Sequence, residues 1–291
     1  MAQTATTGSL ENAQKIIISA ARYTEEHNAP AMALTEKFSL PKGAKQVTVP
    51  KVDQMTMSDL QDGVDIIDEE DIGMTTVDLT AAEVGAKVIL TDKLVRQSAP
   101  NVFSIIGRQM GDGMARKKDK DVLALYTNLN GGTKLGAATK FMKASNLQGI
   151  IAYAKANKFG SQLYILHHPN AVAYLSKESA VAASSGSSPI PEGWSADLLK
   201  NFWSGLRPMN NVAIFEDGNI AEDSSGDGIG VIADKSAMAT LSSVETRTER
   251  QRDASLRATE VVMTADYGVF ELDDTRGAGV TFDVTALATN N

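Results

Sequence analysis

The feature that most constrains this chain is an acidic segment without any positive charge. Residues 52–86 contain no Lys or Arg and ten acidic residues, namely Asp53, Asp59, Asp62, Asp65, Asp68, Glu69, Glu70, Asp71, Asp78 and Glu83. The whole chain has a net charge of −8, so a segment of −10 leaves +2 for the rest. Such a block is either a solvated or disordered stretch, or an extended arm that lies on a basic surface of a neighbouring molecule.

Extended runs flank the acidic segment on both sides. Residues 45–52 alternate with the two-residue period of a strand, with Pro50 at an edge or bulge, and residues 75–90 return with a similar pattern. The two runs predict the limbs of a long β-hairpin with the acidic block at its tip. Because a two-stranded ribbon buries too little surface to be stable alone, we expect it to rest on something else, for which another copy is the candidate.

A long helix is predicted over residues 100–128. Its apolar residues recur at helical spacing, and oppositely charged residues four positions apart occupy the opposite face. These pairs are Arg108–Asp112, Asp112–Arg116 and Lys117–Asp121. At about 1.5 Å per residue, such a helix is roughly 40 Å long.

The rest of the chain predicts a mixed α/β region followed by long strands, giving an α+β fold. A polar N-terminal arm precedes the hairpin and contains a short helix at 9–23. A Ser145/Gln148 capping box predicts a helix towards Gly160, and a second helix runs from Pro169 to Lys177, before a flexible loop at 182–191. Strands are predicted at 162–166, 212–215, 229–233, 243–252 and 258–271.

Composition and motifs argue against several classes of activity. The absence of cysteine removes disulfides, thiolate metal sites and thiol nucleophiles. The start of the chain does not resemble a signal peptide, and no stretch approaches the roughly 20 apolar residues that span a bilayer, so we expect no membrane association. Neither a Gly-x-Ser-x-Gly elbow nor a Walker-type motif occurs. We therefore predict no enzyme and no cofactor.

Three patterns that resemble ligand sites favour structural interpretations. His167 and His168 are adjacent, so on a strand their side chains point to opposite sides and cannot chelate one metal ion. Residues 216–227 lack the spacing of an EF-hand loop and predict an exposed turn. Residues 228–233 match Gly-x-Gly-x-x-Ala, but the glycines precede an apolar strand instead of opening a helix. A soluble nucleotide-binding α/β enzyme using the loop 226–230 is the alternative from another class.

Four arginines near the C-terminus, Arg247, Arg250, Arg252 and Arg257, alternate with acidic residues, and the stretch has no net charge. Balanced charge favours pairing between protein surfaces over a track for phosphates. A solvated strand face explains the same pattern equally well.

The order of these parts resembles the major capsid proteins of tailed bacteriophages, the Hong Kong ninety-seven type. The most specific similarity is VGAKVILTDKLVRQS at 84–98, where a returning strand leads to the long helix, followed by GDGMARKKD at 111–119. The resemblance implies an N-terminal arm at 1–33 and an extension loop, the β-hairpin, at 34–92. It implies a peripheral domain at 93–140 and 241–291 with a spine helix at 100–128, and an α/β axial domain at 141–240.

The resemblance also implies a structural protein that self-assembles into hexamers and pentamers, forming an icosahedral head around double-stranded DNA without sequence-specific binding. The protein would reside in the virion capsid and, during assembly, in the host cytoplasm. Implied partners are other copies, a portal and a candidate decoration protein. Because the arm leaves no room for a scaffolding extension before the hairpin, the resemblance implies either a separate scaffolding protein or a precursor longer than this sequence. An encapsulin-like compartment shares the fold and remains an alternative.

The charge distribution suggests where copies would meet. We expect Asp68, Glu69, Glu70 and Asp71 near the hairpin tip to contact basic residues of another copy. The candidates on the long helix are Arg116, Lys117 and Lys118, and further contact candidates are Arg247, Arg250 and Arg252.

Overall fold

The computed structural model describes residues 30–52, 73–92, 102–184 and 212–287. Its α-helices in chain order are α1 Pro30–Ala33, α2 Val102–Leu125, α3 Ala144–Ala156 and α4 Pro169–Ser184. The long helix predicted at 100–128 is confirmed as α2, and α3 and α4 confirm the two helices that follow it. The helix predicted at 9–23 lies outside the described residues, as does 185–191 of the predicted loop.

The strands of the described chain form three sheets. In chain order they are β1 Glu36–Ser39, β2 Gln46–Val52, β3 Met74–Thr80, β4 Ala82–Thr91, β5 Leu135–Gly136, β6 Leu163–His167, β7 Ala213–Glu216, β8 Asp227–Asp234, β9 Met238–Asp253, β10 Ala258–Glu271 and β11 Gly277–Asp283. One sheet has the order β1-β9-β10-β4, a second has the order β5-β11-β8-β6-β7, and β2 and β3 form a separate ribbon.

Long antiparallel strands dominate the four-stranded sheet. β9 and β10 pair from Ala258 opposite Asp253 to Glu271 opposite Met238. Their turn is closed by Asp253, whose Oδ1 accepts hydrogen bonds from the backbone N–H groups of Ser255 and Leu256 at 2.9 and 3.1 Å. This carboxylate satisfies backbone donors that the sheet leaves unpaired, so the turn fixes the register of both strands.

The predicted hairpin is confirmed for its first part only. Gln46–Val52 pairs with Met74–Thr80, but the continuation at 82–91 pairs with β10 instead. The returning limb therefore leaves the ribbon at Ala81 and becomes the edge strand of the four-stranded sheet. The prediction of one continuous limb overlooks a change of phase at Ala81–Ala82, where the apolar positions shift from odd numbers such as Val77 to even numbers such as Val84. This shift marks the point where the strand changes partner, although alternation cannot say which strand the partner is.

Helix α2 packs on both large sheets. Its first half contacts the four-stranded sheet through Met110 and Met114, which pack against Leu90, Val261 and Met263. Its second half belongs to another cluster, in which Val122 and Tyr126 contact β6 and β8 of the five-stranded sheet. The helix therefore couples the two sheets through apolar burial, which compensates for its three glycines, each costing about 0.5–1 kcal/mol relative to alanine.

The five-stranded sheet is covered on both faces. All five residues of β6 are buried. Ile165 faces the cluster that α3 and α4 form with β11, whereas Leu166 faces the cluster that includes α2. Strand β11 was not predicted from the sequence, because strands buried on both sides do not alternate.

The capping box predicted at Ser145 is wrong. Helix α3 begins one residue earlier, at Ala144, with Lys143 in extended conformation at the N-cap and no side-chain capping bond. Ser145 is therefore inside the first turn, where its hydroxyl cannot act as the N-cap acceptor.

Candidate intersubunit surface

Helix α2 presents a basic face to solvent. Its exposed charged residues are all basic, namely Arg108, Arg116, Lys117 and Lys120. By contrast, Asp112 and Asp121 are half-buried and Asp119 is buried. The acidic residues face the rest of the subunit, since Asp121 bonds to Tyr267 of β10 and Asp119 bonds to α1 and to the turn after β7.

One predicted ion pair on this helix has a structural role as well. The Lys117 ammonium group contacts Asp121 Oδ1, as its spacing of four residues predicts. The other carboxylate oxygen of Asp121 accepts a hydrogen bond from the Tyr267 hydroxyl at 2.7 Å. Asp121 thus ties α2 to β10 while leaving the Lys117 side chain at the surface.

Lys118 differs from its neighbours because it turns towards its own sheet. Its Nζ donates to Thr246 Oγ1 at 3.0 Å and lies 5.5 Å from the centre of the Tyr267 ring. Lys117 and Lys118 are adjacent on the helix, yet Lys117 faces solvent whereas Lys118 contacts residues of its own subunit. Of the three helix candidates, Arg116 and Lys117 are the exposed ones.

The three candidate arginines of β9 do not share one face. Arg247 lies opposite Thr264 and donates to its hydroxyl at 3.4 Å, on the sheet face away from α2. Arg250 lies opposite Val261, whose side chain packs on the α2 side. Since strand residues alternate, Arg252 lies on the same face as Arg250.

Arg252 is already paired within the subunit. Its guanidinium group makes a bidentate contact with both carboxylate oxygens of Asp92, and this hydrogen bonding raises the pKa of Arg252. Because Asp92 directly follows β4, the pair spans the sheet end and stabilises the edge strand. Its two side chains are about half-exposed, so the stabilisation is modest.

The described hairpin is anchored on its own subunit along its length, from Val47 to Lys51. Val47, Val49 and Val77 pack around buried Leu79, together with Ala239 and Leu241 of β9, and Lys51 Nζ lies 2.7 Å from Asp273 Oδ1. At the far end, the paired residues Val52 and Met74 are 58% and 65% exposed. The described part of the hairpin therefore ends in exposed apolar side chains, next to the acidic residues of 53–72 in the sequence. Asp68, Glu69, Glu70 and Asp71 lie outside the described residues.

A second group of acids adjoins this anchor. Burial, a hydrogen bond to Asp274 and repulsion from Asp274 and Asp273 raise the pKa of Glu271 to about 7. Asp274 in turn accepts a hydrogen bond from the backbone N–H of Gly131 at 2.8 Å. Three carboxyl groups therefore lie close to the Lys51–Asp273 ion pair that holds the hairpin. They belong to Glu271 at the end of β10 and to Asp273 and Asp274 in the loop that follows.

The residues whose sequence patterns resemble ligand sites have structural roles. Burial lowers the pKa of His167 to about 4, so its imidazole is neutral, and burial also lowers the pKa of His168. Asp223 accepts hydrogen bonds from the N–H groups of Ser225 and Asp227 and forms a turn, as predicted. Across the residues with described positions, no group of three or more His, Cys, Asp or Glu could hold a metal ion.

The glycines of 228–233 lie inside β8 and not before a helix. A Cβ atom on Gly230 would come within 2.3 Å of the Leu166 carbonyl oxygen of the neighbouring strand. The glycines therefore permit close strand packing, and the structure offers no helix N-terminus here for a phosphate. The dinucleotide pattern is coincidental. Among the helices in the described ranges, none is long and apolar enough to cross a membrane.

Sequence and fold comparisons agree on one class of protein. A sequence model of phage capsid proteins matches residues 74–281. No curated protein sequence matches the chain.

Solved structures match at low identity over most of the chain. The capsid of the cyanophage P-SCSP1u has a TM-score of 0.63 at 14% identity, covering 85% of this chain and 86% of its own. The capsid of Ralstonia phage GP4 has a TM-score of 0.64 at 12% identity, covering 88% and 89%. A virus-like particle from Pyrococcus furiosus has a TM-score of 0.58 at 8% identity, covering 91% and 97%. At these identities the structural matches establish the fold.

Proposed function

This chain belongs to the phage capsid protein family, and we propose on that premise that it is the major subunit of an icosahedral phage head, built from many identical copies. The observation that supports this most directly is the family match over residues 74–281. That range includes β4, α2 and all but strand β1 and the last two residues of β11 in the two large sheets, so the resemblance covers most of the folded body of the subunit.

Copies associate through the acidic arm of one subunit and the basic face of α2 on the next. Residues 53–72 contain eight acidic residues and no basic one. The exposed charges of α2 are all basic. Opposite charges of this kind steer association and fix register, and they offset the repulsion within the arm.

The specific contacts are Asp68, Glu69, Glu70 and Asp71 with Arg116 and Lys117 of a neighbouring copy. Lys118 contributes less than first expected because its ammonium group already binds Thr246. Arg247 and Arg250 are further contact candidates. Arg252 acts within its own subunit, through Asp92.

The exposed end of the hairpin supports the same arrangement. Val52 and Met74 leave apolar surface uncovered where the arm begins. A neighbouring subunit that covers this pair would add hydrophobic burial to the ionic contacts, at about 25 cal/mol per Å² of apolar surface. The arm is thus attached to its own subunit at the base and to another subunit beyond it.

The finer organisation follows the family pattern. Residues 141–240 form an axial domain around the five-fold and six-fold axes of pentamers and hexamers. Residues 93–140 and 241–291 form the peripheral domain, 34–92 the extension loop and 1–33 the arm. The head encloses double-stranded DNA, with a portal, a separate scaffolding protein and a decoration protein as partners, and it assembles in the host cytoplasm.

Electron microscopy of the expressed full chain, with and without a co-expressed scaffolding protein, tests this proposal. We expect closed shells with hexameric and pentameric units. A chain that remains monomeric under both conditions, with residues 45–90 fully packed in its own core, would overturn it. Shells that contain cargo protein in place of nucleic acid would indicate an encapsulin-like compartment, which the family match does not favour.

A further inference from the structure

Three parts of the subunit meet at one buried carboxyl group. Asp119 of α2 is fully buried. Its Oδ1 accepts a hydrogen bond from the backbone N–H of Ala31 in α1 at 3.0 Å, and its Oδ2 accepts one from the side-chain amide of Asn219 at 2.9 Å. Asn219 belongs to the turn that follows β7. A single side chain therefore links α1, α2 and the edge of the five-stranded sheet.

A second carboxyl group in this junction has an oxygen without a donor. Asp217 is 2% exposed, and its Oδ1 accepts a hydrogen bond from the backbone N–H of Asn219 at 2.8 Å. Its Oδ2 is buried and has no hydrogen-bond partner among the described residues other than the carboxyl group of Asp119. Two carboxylates in contact repel each other away from water, whereas one shared proton turns the contact into a hydrogen bond.

Among the described residues around this pair, none supplies a compensating charge that titrates near neutral pH. Arg116, Asp112 and Glu216 line a surface cavity of about 460 Å³ that also reaches Asp217. Arg116 is charged throughout the physiological range. Burial lowers the pKa of His168 despite the opposing effects of Glu222 and Asp217, and burial raises the pKa of Tyr126 far above its usual value.

We propose that Asp119 and Asp217 form a proton-operated latch that ties α1 and the turn 217–219 to α2. With one proton shared between the two carboxyl groups, all their oxygens have partners and the junction is closed. When the proton leaves through the adjoining cavity, two buried negative charges face each other and the junction loosens. Helix α1 and the edge of the five-stranded sheet then become free to shift relative to α2.

The direction of the pH response follows from the protonation states. Burial, and then the neighbouring carboxyl group of Asp217, raise the pKa of Asp119 to about 7 from its usual 3.8. The folded junction therefore holds a proton that the unfolded chain has already released. Its contribution to stability is complete below the unfolded pKa and is lost as the pH rises through about 7.

Hydrogen exchange of the full chain tests the latch. The protection factors of the Ala31 and Asn219 amides are measured across the pH range and corrected for intrinsic exchange. We expect wild-type protection at both amides to fall about tenfold between about pH 5.5 and pH 8.5, while protection in β8 stays constant. Protection that stays constant at both amides in the wild type would overturn the latch.

Substitutions separate the latch from a static packing contact. Asp217→Asn places a permanent donor where the proton would be and keeps the bond from the Asn219 N–H, so protection should no longer depend on pH. Glu249→Gln removes an exposed carboxylate elsewhere and should behave like the wild type. If the fall with pH persists in Asp217→Asn, the latch is excluded. If that variant does not fold, the pH dependence of wild-type protection at Ala31 and Asn219, compared with β8, carries the test. Assembly is not a readout, so these results stand apart from the shell function.

Discussion

Lys51 Nζ lies 2.7 Å from Asp273 Oδ1 and thereby joins the end of the β2–β3 ribbon to the loop after β10. Burial raises the pKa of Asp273, but hydrogen bonds from Lys51 and Thr275 outweigh this and lower it overall. Asp273 also binds Arg276 at 3.1 Å and closes its own loop. A test of the tether should therefore change Lys51, which has no comparable second role.

Lys51→Met should loosen the ribbon without unfolding the subunit. The pair is partly exposed, so we expect the free energy of unfolding to fall by about 0.5–1 kcal/mol. Hydrogen exchange in β2 and β3 should accelerate more than exchange in β10. Denaturant unfolding and exchange mass spectrometry measure both effects. Glu249→Gln is the control, because it removes the exposed ion pair between Glu249 and Arg247, whose closest atoms are 3.3 Å apart. Unchanged exchange in the ribbon would mean that apolar packing alone holds it.

A charge swap tests the contact between the arm and α2. Arg116→Glu with Lys117→Glu should block assembly, as should Asp68→Lys with Asp71→Lys, because each leaves like charges facing each other. The quadruple variant should recover assembly at least in part, as coupled sites do. Sedimentation and electron microscopy at low salt give the readout. Failure of the quadruple variant while every variant remains folded would argue against this pairing.

Gly113→Ala should stabilise the subunit. Gly113 is exposed in the interior of α2, and a Cβ atom there would meet nothing within 4 Å. Alanine in a helix interior should raise the free energy of unfolding by about 0.5–1 kcal/mol. Gly85→Ala in β4 is the matched comparison, because its Cβ would lie 2.9 Å from the Met263 carbonyl oxygen and should destabilise the sheet. Thermal unfolding of both variants distinguishes the effect of helix propensity from the effect of the space available to the added methyl group.

Glu271→Gln should flatten part of the pH dependence of stability. Burial and Asp274 raise the pKa of Glu271 to about 7, so its protonated form favours folding and this contribution is lost as the pH rises through that value. The variant should be more stable than the wild type above neutral pH, by less than about 1 kcal/mol since the group is partly exposed. Urea unfolding at several pH values provides the measurement. If the free energy of unfolding depends on pH to the same extent in both proteins between pH 5 and pH 8, this prediction is wrong.

The sequence predicted the half-buried strands best. The strand at 258–271 coincides with β10, because its side chains alternate between the α2 side and the open face. β11 was not predicted for the opposite reason, since its residues are largely buried on both sides and include two glycines. At Gly279 a Cβ atom would lie 2.6 Å from the Tyr126 carbonyl oxygen, so close packing explains that glycine and no local pattern reveals it.

The candidate surface was predictable in charge but not in detail. The basic run at 116–118 stood out, yet only the rotation of α2 against two sheets determines that Lys117 faces solvent and Lys118 faces Thr246. The Asp119–Asp217 junction had no sequence signal at all. Tertiary folding brings its members together from distant positions in the chain. Asn219, for example, lies 100 positions from Asp119.

The single residue Ala81 between β3 and β4 has a mechanical consequence. No flexible linker separates the ribbon from the sheet, so tension on the arm passes directly into β4. That strand is held over ten residues by β10 and lies under α2. A force along the axis of β4 acts on all the hydrogen bonds between β4 and β10 at once. This arrangement resists rupture far better than one in which the strands separate from one end. Internal pressure in a filled head would thus be shared between neighbouring sheets.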